Sequence, residues 1–125
     1  MIKYVYIIVG GATGSILRFL VSHFISTKSN SSFPAGTFTV NIIGSLMIGF
    51  LFGLYSLNGV LDDKVKFLVF IGFLGGFTTF SAFALENIKL INSGLISVSV
   101  VYILLSNILG IALAFAGYFA GLRLK

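Results

Sequence analysis

An all-helical integral membrane protein is the fold class this sequence predicts, and three observations predict it. Hydrophobic residues make up 58% of the 125 positions and charged ones only 9%, against about 25% charged in soluble domains. The apolar residues fall into four runs, each long enough to cross a bilayer as a helix. The basic residues mostly flank those runs, as membrane proteins place them, so the net charge of +5 does not point to nucleic acid. There is no cysteine, which excludes disulfides and thiolate metal sites. One histidine and three acidic residues leave little for acid–base or metal chemistry. No nucleophile–base pair or metal cluster is visible, so an enzyme is not expected. The whole chain, 1–125, reads as one four-helix domain with helices over about 2–26, 35–57, 66–90 and 94–122.

The first run begins after Lys3. No small-residue cleavage site closes it and three more apolar runs follow, so it reads as a retained span rather than a signal peptide. Its opening, Tyr4 to Val9 followed by Gly10-Gly11-Ala12-Thr13-Gly14, imitates the strand and glycine turn of a dinucleotide fold. That motif expects an acidic residue about 20 positions on, and residues 30 to 40 contain none. Gly10 and Gly14 fit better as a small-residue face for close helix packing. Arg18 lies one turn further on; it either faces water and protein or snorkels to the interface. His23 reads as interfacial.

Thr27 to Phe33 is a polar loop, and Pro34 fits the first turn of the second helix. In that helix Asn41 stands out, because an amide buried unpaired in lipid is costly; it is either an interhelical hydrogen-bond former or a ligand contact. Gly49 and Gly53 give another small face. Asn58 to Lys66 forms the second loop. The third span holds Gly72-Phe73-Leu74-Gly75-Gly76-Phe77-Thr78-Thr79-Phe80-Ser81-Ala82-Phe83. Gly75-Gly76 followed by two threonines is a poor place for an unbroken helix. A break frees backbone polar groups, which at membrane depth must meet protein, water or an ion. Phe77, Phe80 and Phe83 recur every three residues as an aromatic stripe. Near the span's end Glu86 and Lys89 are spaced to pair, and Glu86 is expected near the interface. Asn92-Ser93-Gly94 makes a short turn. In the fourth span Tyr102 and Ser106 share a face, and Gly110, Ala114, Gly117 and Gly121 continue the small residues.

Four helices put both termini on one side. That side carries Lys3, Lys64, Lys66, Arg123 and Lys125, and the other carries Lys28 and Lys89. The excess suggests cytoplasmic termini but specifies orientation weakly. The polar groups within the spans are hydroxyls, amides and one arginine, with carboxylates nearly absent. Such donors suit an anion, and so does the positive rim of an aromatic ring. Freed carbonyls at the break suit a cation instead. One chain of four helices can hardly enclose both, so an oligomer is expected.

The sequence resembles the Fluc or CrcB family of small four-helix fluoride channels, over essentially the whole chain. Three motifs carry the resemblance: Gly10-Gly11-Ala12-Thr13-Gly14 leading to Arg18, Gly36-Thr37-Phe38-Thr39-Val40-Asn41-Ile42-Ile43-Gly44, and Gly72 to Ser81. It implies an antiparallel, dual-topology homodimer in the cell membrane that passes fluoride out passively. It implies a central structural sodium ion held by the backbone carbonyls of Gly75 and Thr78. It implies that Phe80 and Phe83 present ring edges to fluoride and that Asn41 donates its amide. It also implies that Ser81, Tyr102 and Ser106 continue a polar track, with Arg18 near the vestibule. Two positions depart from the family pattern: Ala82 replaces a threonine, and Gly110 stands where some relatives carry a hydroxyl, so the far end of the track has two fewer donors. The rival readings are a small proton-coupled multidrug-type exporter and a non-transporting structural subunit. The exporter needs an acidic residue in the first span, and this sequence has none there.

Overall fold

The apolar runs form helices because a chain in hydrocarbon must satisfy every backbone polar group internally. The computed structural model describes residues 1–56 and 61–124. Among them lie α1 (Ile2–Lys28), α2 (Ala35–Ser56), the short α3 (Asp63–Val65), a π-helical segment (Lys66–Leu74), the short α4 (Gly75–Phe77), α5 (Phe80–Asn92) and α6 (Ile96–Arg123). Four helical spans are long and apolar enough to cross a membrane: α1, α2, the composite Asp63–Asn92 and α6. No strand occurs among the described residues. The second helix was expected to run to 57, and that residue lies outside the described ones, as do Asn58 of the second loop and Lys125 of the charge tally.

Two glycine seams assemble the bundle. On the α1 seam, Gly10 and Gly14 meet the third span backbone to backbone. A Cβ added at Gly10 would reach the Leu68 carbonyl and lie 2.8 Å from the Phe73 amide, and one at Gly14 would lie 2.9 Å from the Phe77 amide. On the other seam, Gly49 and Gly53 of α2 abut the Ala114 and Tyr118 carbonyls of α6, while Gly117 and Gly121 abut α2. Lipid tails are as apolar as leucine, so helices associate through close van der Waals contact, which small residues permit.

The turn between α5 and α6 is a Schellman motif. Gly94 takes φ +77°, a left-handed conformation that costs glycine little. Its N–H bonds to the Ile91 carbonyl at 3.0 Å, and the Leu95 N–H reaches back to the Leu90 carbonyl at 2.9 Å. Leu90 and Leu95 join a cluster with Phe83 and Tyr102, packed further by Phe33 and Phe38. The turn therefore brings α5 and α6 together just where both carry aromatic rings.

Candidate functional site

The third span breaks between Phe77 and Phe80. Thr78 (φ −83°, ψ 157°) and Thr79 (φ −151°, ψ 124°) are both extended. Asn41 of α2 holds the break open. Its Oδ1 accepts the Thr79 N–H at 2.8 Å, and its Nδ2 donates to the Thr79 carbonyl at 2.9 Å. In a continuous helix the Thr79 N–H would bond to the Gly75 carbonyl. The amide of Asn41 takes that donor and leaves the Gly75 carbonyl without its helical partner. Asn41 thus serves the break first, and one of its two Nδ2 hydrogens remains beyond the Thr79 bond.

The other groups freed by the break find side chains of α1. Arg18 donates to the Thr78 carbonyl at 3.4 Å, and Ser15 to the Gly76 carbonyl at 3.5 Å. Arg18 therefore lies against the break rather than at the helix end. Thr78 Oγ1 turns back to the Leu74 carbonyl at 2.9 Å. The Thr79 side chain caps α5 by accepting the Ala82 N–H at 3.2 Å. Upstream, the π winding of Lys66–Leu74 is the kind of irregularity that gathers at functional sites.

Two clefts open on either side of the break. One, of about 370 Å³, is lined by Asn41, Ser45, Gly75, Thr78 and Phe80 among others. The second, of about 690 Å³, runs along α1, with Ser15, Arg18, Ser22, His23, Ser81 and Glu86 in its wall. Ser81 and Thr79 are linked hydroxyl to hydroxyl at 3.3 Å.

Phe80 and Phe83 lie side by side, ring centroids 5.4 Å apart, in opposite surroundings. Phe80 is 78% exposed and Phe83 only 9%. Phe83 packs edge to face on Tyr102 at 4.9 Å, and Tyr102 meets Phe33 in the same manner at 5.3 Å. Tyr102 is wholly buried, and its hydroxyl donates to Glu86 Oε2 at 2.8 Å. The other oxygen of Glu86 accepts the Thr37 hydroxyl at 2.6 Å. Ser106 Oγ is buried without a hydrogen-bond partner among the described residues.

The structure therefore gathers Asn41, Gly75, Thr78, Phe80 and Ser81 at the break, with Arg18 against it, and links Phe83 to Tyr102 one turn away. Ser106 stands apart along α6. Glu86, spaced for Lys89, instead bridges α2 and α6; no Glu86–Lys89 ion pair is present among the described residues. Asn87 and Ser99 were not singled out from the sequence at all. They form a buried pair, Ser99 Oγ donating to Asn87 Oδ1 at 2.7 Å.

Comparison with known proteins shows which family the sequence belongs to. Residues 5–118 match the family described as CrcB-like protein, Camphor Resistance (CrcB). A relative from Azobacteroides pseudotrichonymphae, named fluoride-specific ion channel FluC, is 44% identical over 94% of this chain and 95% of its own length. One of the same name from Methylobacillus flagellatus is 43% identical over 94% of this chain and 93% of its own. Another from Agrobacterium fabrum is 39% identical over 99% of each.

Proposed function

The chain belongs to the CrcB-like family as a multi-pass protein of the cell membrane, and we propose that it is a fluoride-selective channel through which accumulated fluoride leaves the cell passively. One observation carries the reading: 44% and 43% identity, over 94% of the chain, to relatives named as fluoride-specific ion channels. The site chemistry supports it. A small, strongly hydrated anion must exchange its water for donors. The pair Phe80–Phe83 supplies the positive rims of aromatic rings, Ser106 a hydroxyl without a partner among the described residues, and Asn41 the N–H left over from its grip on Thr79. Ser81 extends the donors toward the α1 cleft, where Arg18 supplies a cation that draws anions in. Tyr102, wholly buried with its only hydroxyl proton committed to Glu86, backs the Phe83 ring and offers no donor to the ion.

The working unit in this reading is an antiparallel, dual-topology homodimer. Phe80 is an exposed aromatic on a mostly apolar cleft at the break, which suits a surface completed by a second copy. A structural sodium ion at the dimer centre fits the donor set. The Gly75 carbonyl has lost its helical partner to Asn41, and among the described residues the Thr78 carbonyl is met only by a long contact from Arg18. Carbonyl oxygens are suitable ligands for a hard monovalent cation, and two copies would double the two that one chain offers. Bound there, sodium would supply a fixed positive charge that ties the two breaks together.

Fluoride release from liposomes holding the purified protein tests the function, with potassium and an ionophore clamping the potential and chloride-loaded vesicles in parallel. Rapid fluoride release without chloride release is expected. Equal release of both anions would remove the selectivity, and no release from well-folded protein would overturn the reading.

A further inference from the structure

We propose that the buried pair Asn87–Ser99 is the positioning device that sets the Phe83–Tyr102 ring contact, and through it the discrimination of fluoride from larger halides. The inference rests on the channel reading above. The α5–α6 hairpin is a ladder of three rungs. The first is the turn itself, where Leu95 N–H bonds to the Leu90 carbonyl at 2.9 Å. The second is Ser99 Oγ to Asn87 Oδ1 at 2.7 Å. The third is the ring pair Phe83–Tyr102, with centroids 4.9 Å apart. A two-helix hairpin joined by so short a turn can scissor about it. The middle rung is what stops the third from drifting.

Asn87 is well placed for that task. Its Nδ2 donates to the carbonyl of Phe83 itself at 2.9 Å, so one amide grips the backbone of the ring-bearing residue and the facing helix together. Both partners are shut away from lipid and water, Asn87 at 7% exposure and Ser99 at 1%. An apolar pair would be cheaper to bury than an amide and a hydroxyl. It would also tolerate sliding, since dispersion contacts are not directional, whereas a hydrogen bond is lost within a few tenths of an ångström and at poor angles. Placing a polar pair here fixes register, as satisfied buried networks do.

The test separates positioning from simple stability. Ser99→Ala, Asn87→Leu and the combined Asn87→Leu/Ser99→Ala variant are reconstituted beside the wild type. Thermal unfolding is followed together with fluoride and chloride release. Ser99→Ala leaves the Asn87 oxygen unpaired and is expected to lower both melting temperature and the fluoride-to-chloride ratio. The double variant removes both polar partners, which by itself is nearly neutral for stability. It is expected to recover the melting temperature while the ratio stays reduced about tenfold. Ser99→Thr, which keeps the hydroxyl, should retain the wild-type ratio. If the double variant recovers the ratio along with the melting temperature, the pair only stabilises the hairpin and the proposal fails. A wild type that releases no fluoride would instead sink the channel reading itself, which the same experiment tells apart. Should the leucine variants fail to fold, Ser99→Ala with an unchanged ratio is enough to overturn the proposal.

Discussion

Along α6 the two halves of one helix are held in different ways. The C-terminal half lies on α2 through Gly117 and Gly121, so close that an added Cβ would lie 2.8 Å from the Phe50 amide and 2.9 Å from the Leu54 amide. The N-terminal half faces α5 through Ser99 and Tyr102, whose hydroxyls reach Asn87 and Glu86. The first contact is made by what is absent, since only hydrogen fits between the backbones. The second is made by what is present, polar groups whose loss would leave buried partners unpaired. The glycine seam fails when an atom is added and the polar region fails when one is removed. A membrane protein needs both, because the seam gives contact area without any hydrophobic drive between helices and the polar pairs give direction.

The largest effect is expected on the seam. Gly117→Leu places carbon against the Leu46 carbonyl and the Phe50 amide, backbone atoms that cannot swing aside. Overpacking costs about 1–3 kcal/mol or more, and here the two helices must separate along their length. Size-exclusion chromatography and thermal unfolding should show loss of the folded species. A protein that stays folded with an unchanged melting temperature would break the comparison on its steric side. Next in size is Asn41→Leu, which removes both bonds to Thr79 at the break. A buried peptide group left unpaired costs about 1–3 kcal/mol, and the Thr79 groups are partly buried. Fluoride release should fall at least about tenfold, and undiminished release would mean that Asn41 only packs helices. Asn41→Asp keeps an acceptor for the Thr79 N–H but turns a carboxylate toward the Thr79 carbonyl and the anion path; release should fall there too.

Much of this contrast was legible in the sequence, and the rest was hidden for a physical reason. Small residues at fixed spacing announce a seam whichever helix they meet, so Gly10, Gly14, Gly49, Gly53, Gly117 and Gly121 could be read without coordinates. The break was legible because Gly75-Gly76-Phe77-Thr78-Thr79 weakens a helix by local means alone. Polar partners are different. The i,i+3 spacing of Glu86 and Lys89 suggested a pair, but the carboxylate is taken by Thr37, 49 positions away, and Tyr102, 16 away. Local spacing carries no information about such partners. Asn87 and Ser99 hid in the same way, although Asn87 stands one turn from Phe83 and Ser99 one turn from Tyr102. From sequence Asn41 reads as either a hydrogen-bond former or a ligand contact; its two bonds to Thr79 give it the first role and leave room for the second. The π winding of Lys66–Leu74 has no side-chain signature that reveals it.

The two phenylalanines sharpen the comparison at smaller scale. Phe80 is exposed and Phe83 is buried in the ring cluster. Phe80→Ile should therefore leave the packing within each chain nearly unchanged and the protein folded, while fluoride release falls strongly. Phe83→Ile should lower both melting temperature and release, because it also removes the edge contact with Tyr102, worth about 0.5–1.5 kcal/mol beyond burial. Unchanged release in both variants would remove these rings from the path.

The smallest effect belongs to Gly110, which lies where the two halves of α6 meet. It carries none of the steric pressure of Gly117, since a Cβ there would sit 3.5 Å from Ser45 Oγ, an ordinary contact. Gly110→Ser should therefore fold like the wild type, which would mark the end of the glycine seam. The new hydroxyl would stand one turn beyond Ser106, whose own oxygen is buried without a partner among the described residues. A serine within a helix tends to bond to the carbonyl four residues back, here that of Ser106, so only part of its donor capacity would reach an ion. Fluoride release should rise by no more than about twofold, in keeping with changes of about 0.5 kcal/mol at sites without strain. A severe loss of folding would show that the seam runs two turns beyond Gly117. A fall in release with folding intact would place Gly110 where the path needs width rather than another donor.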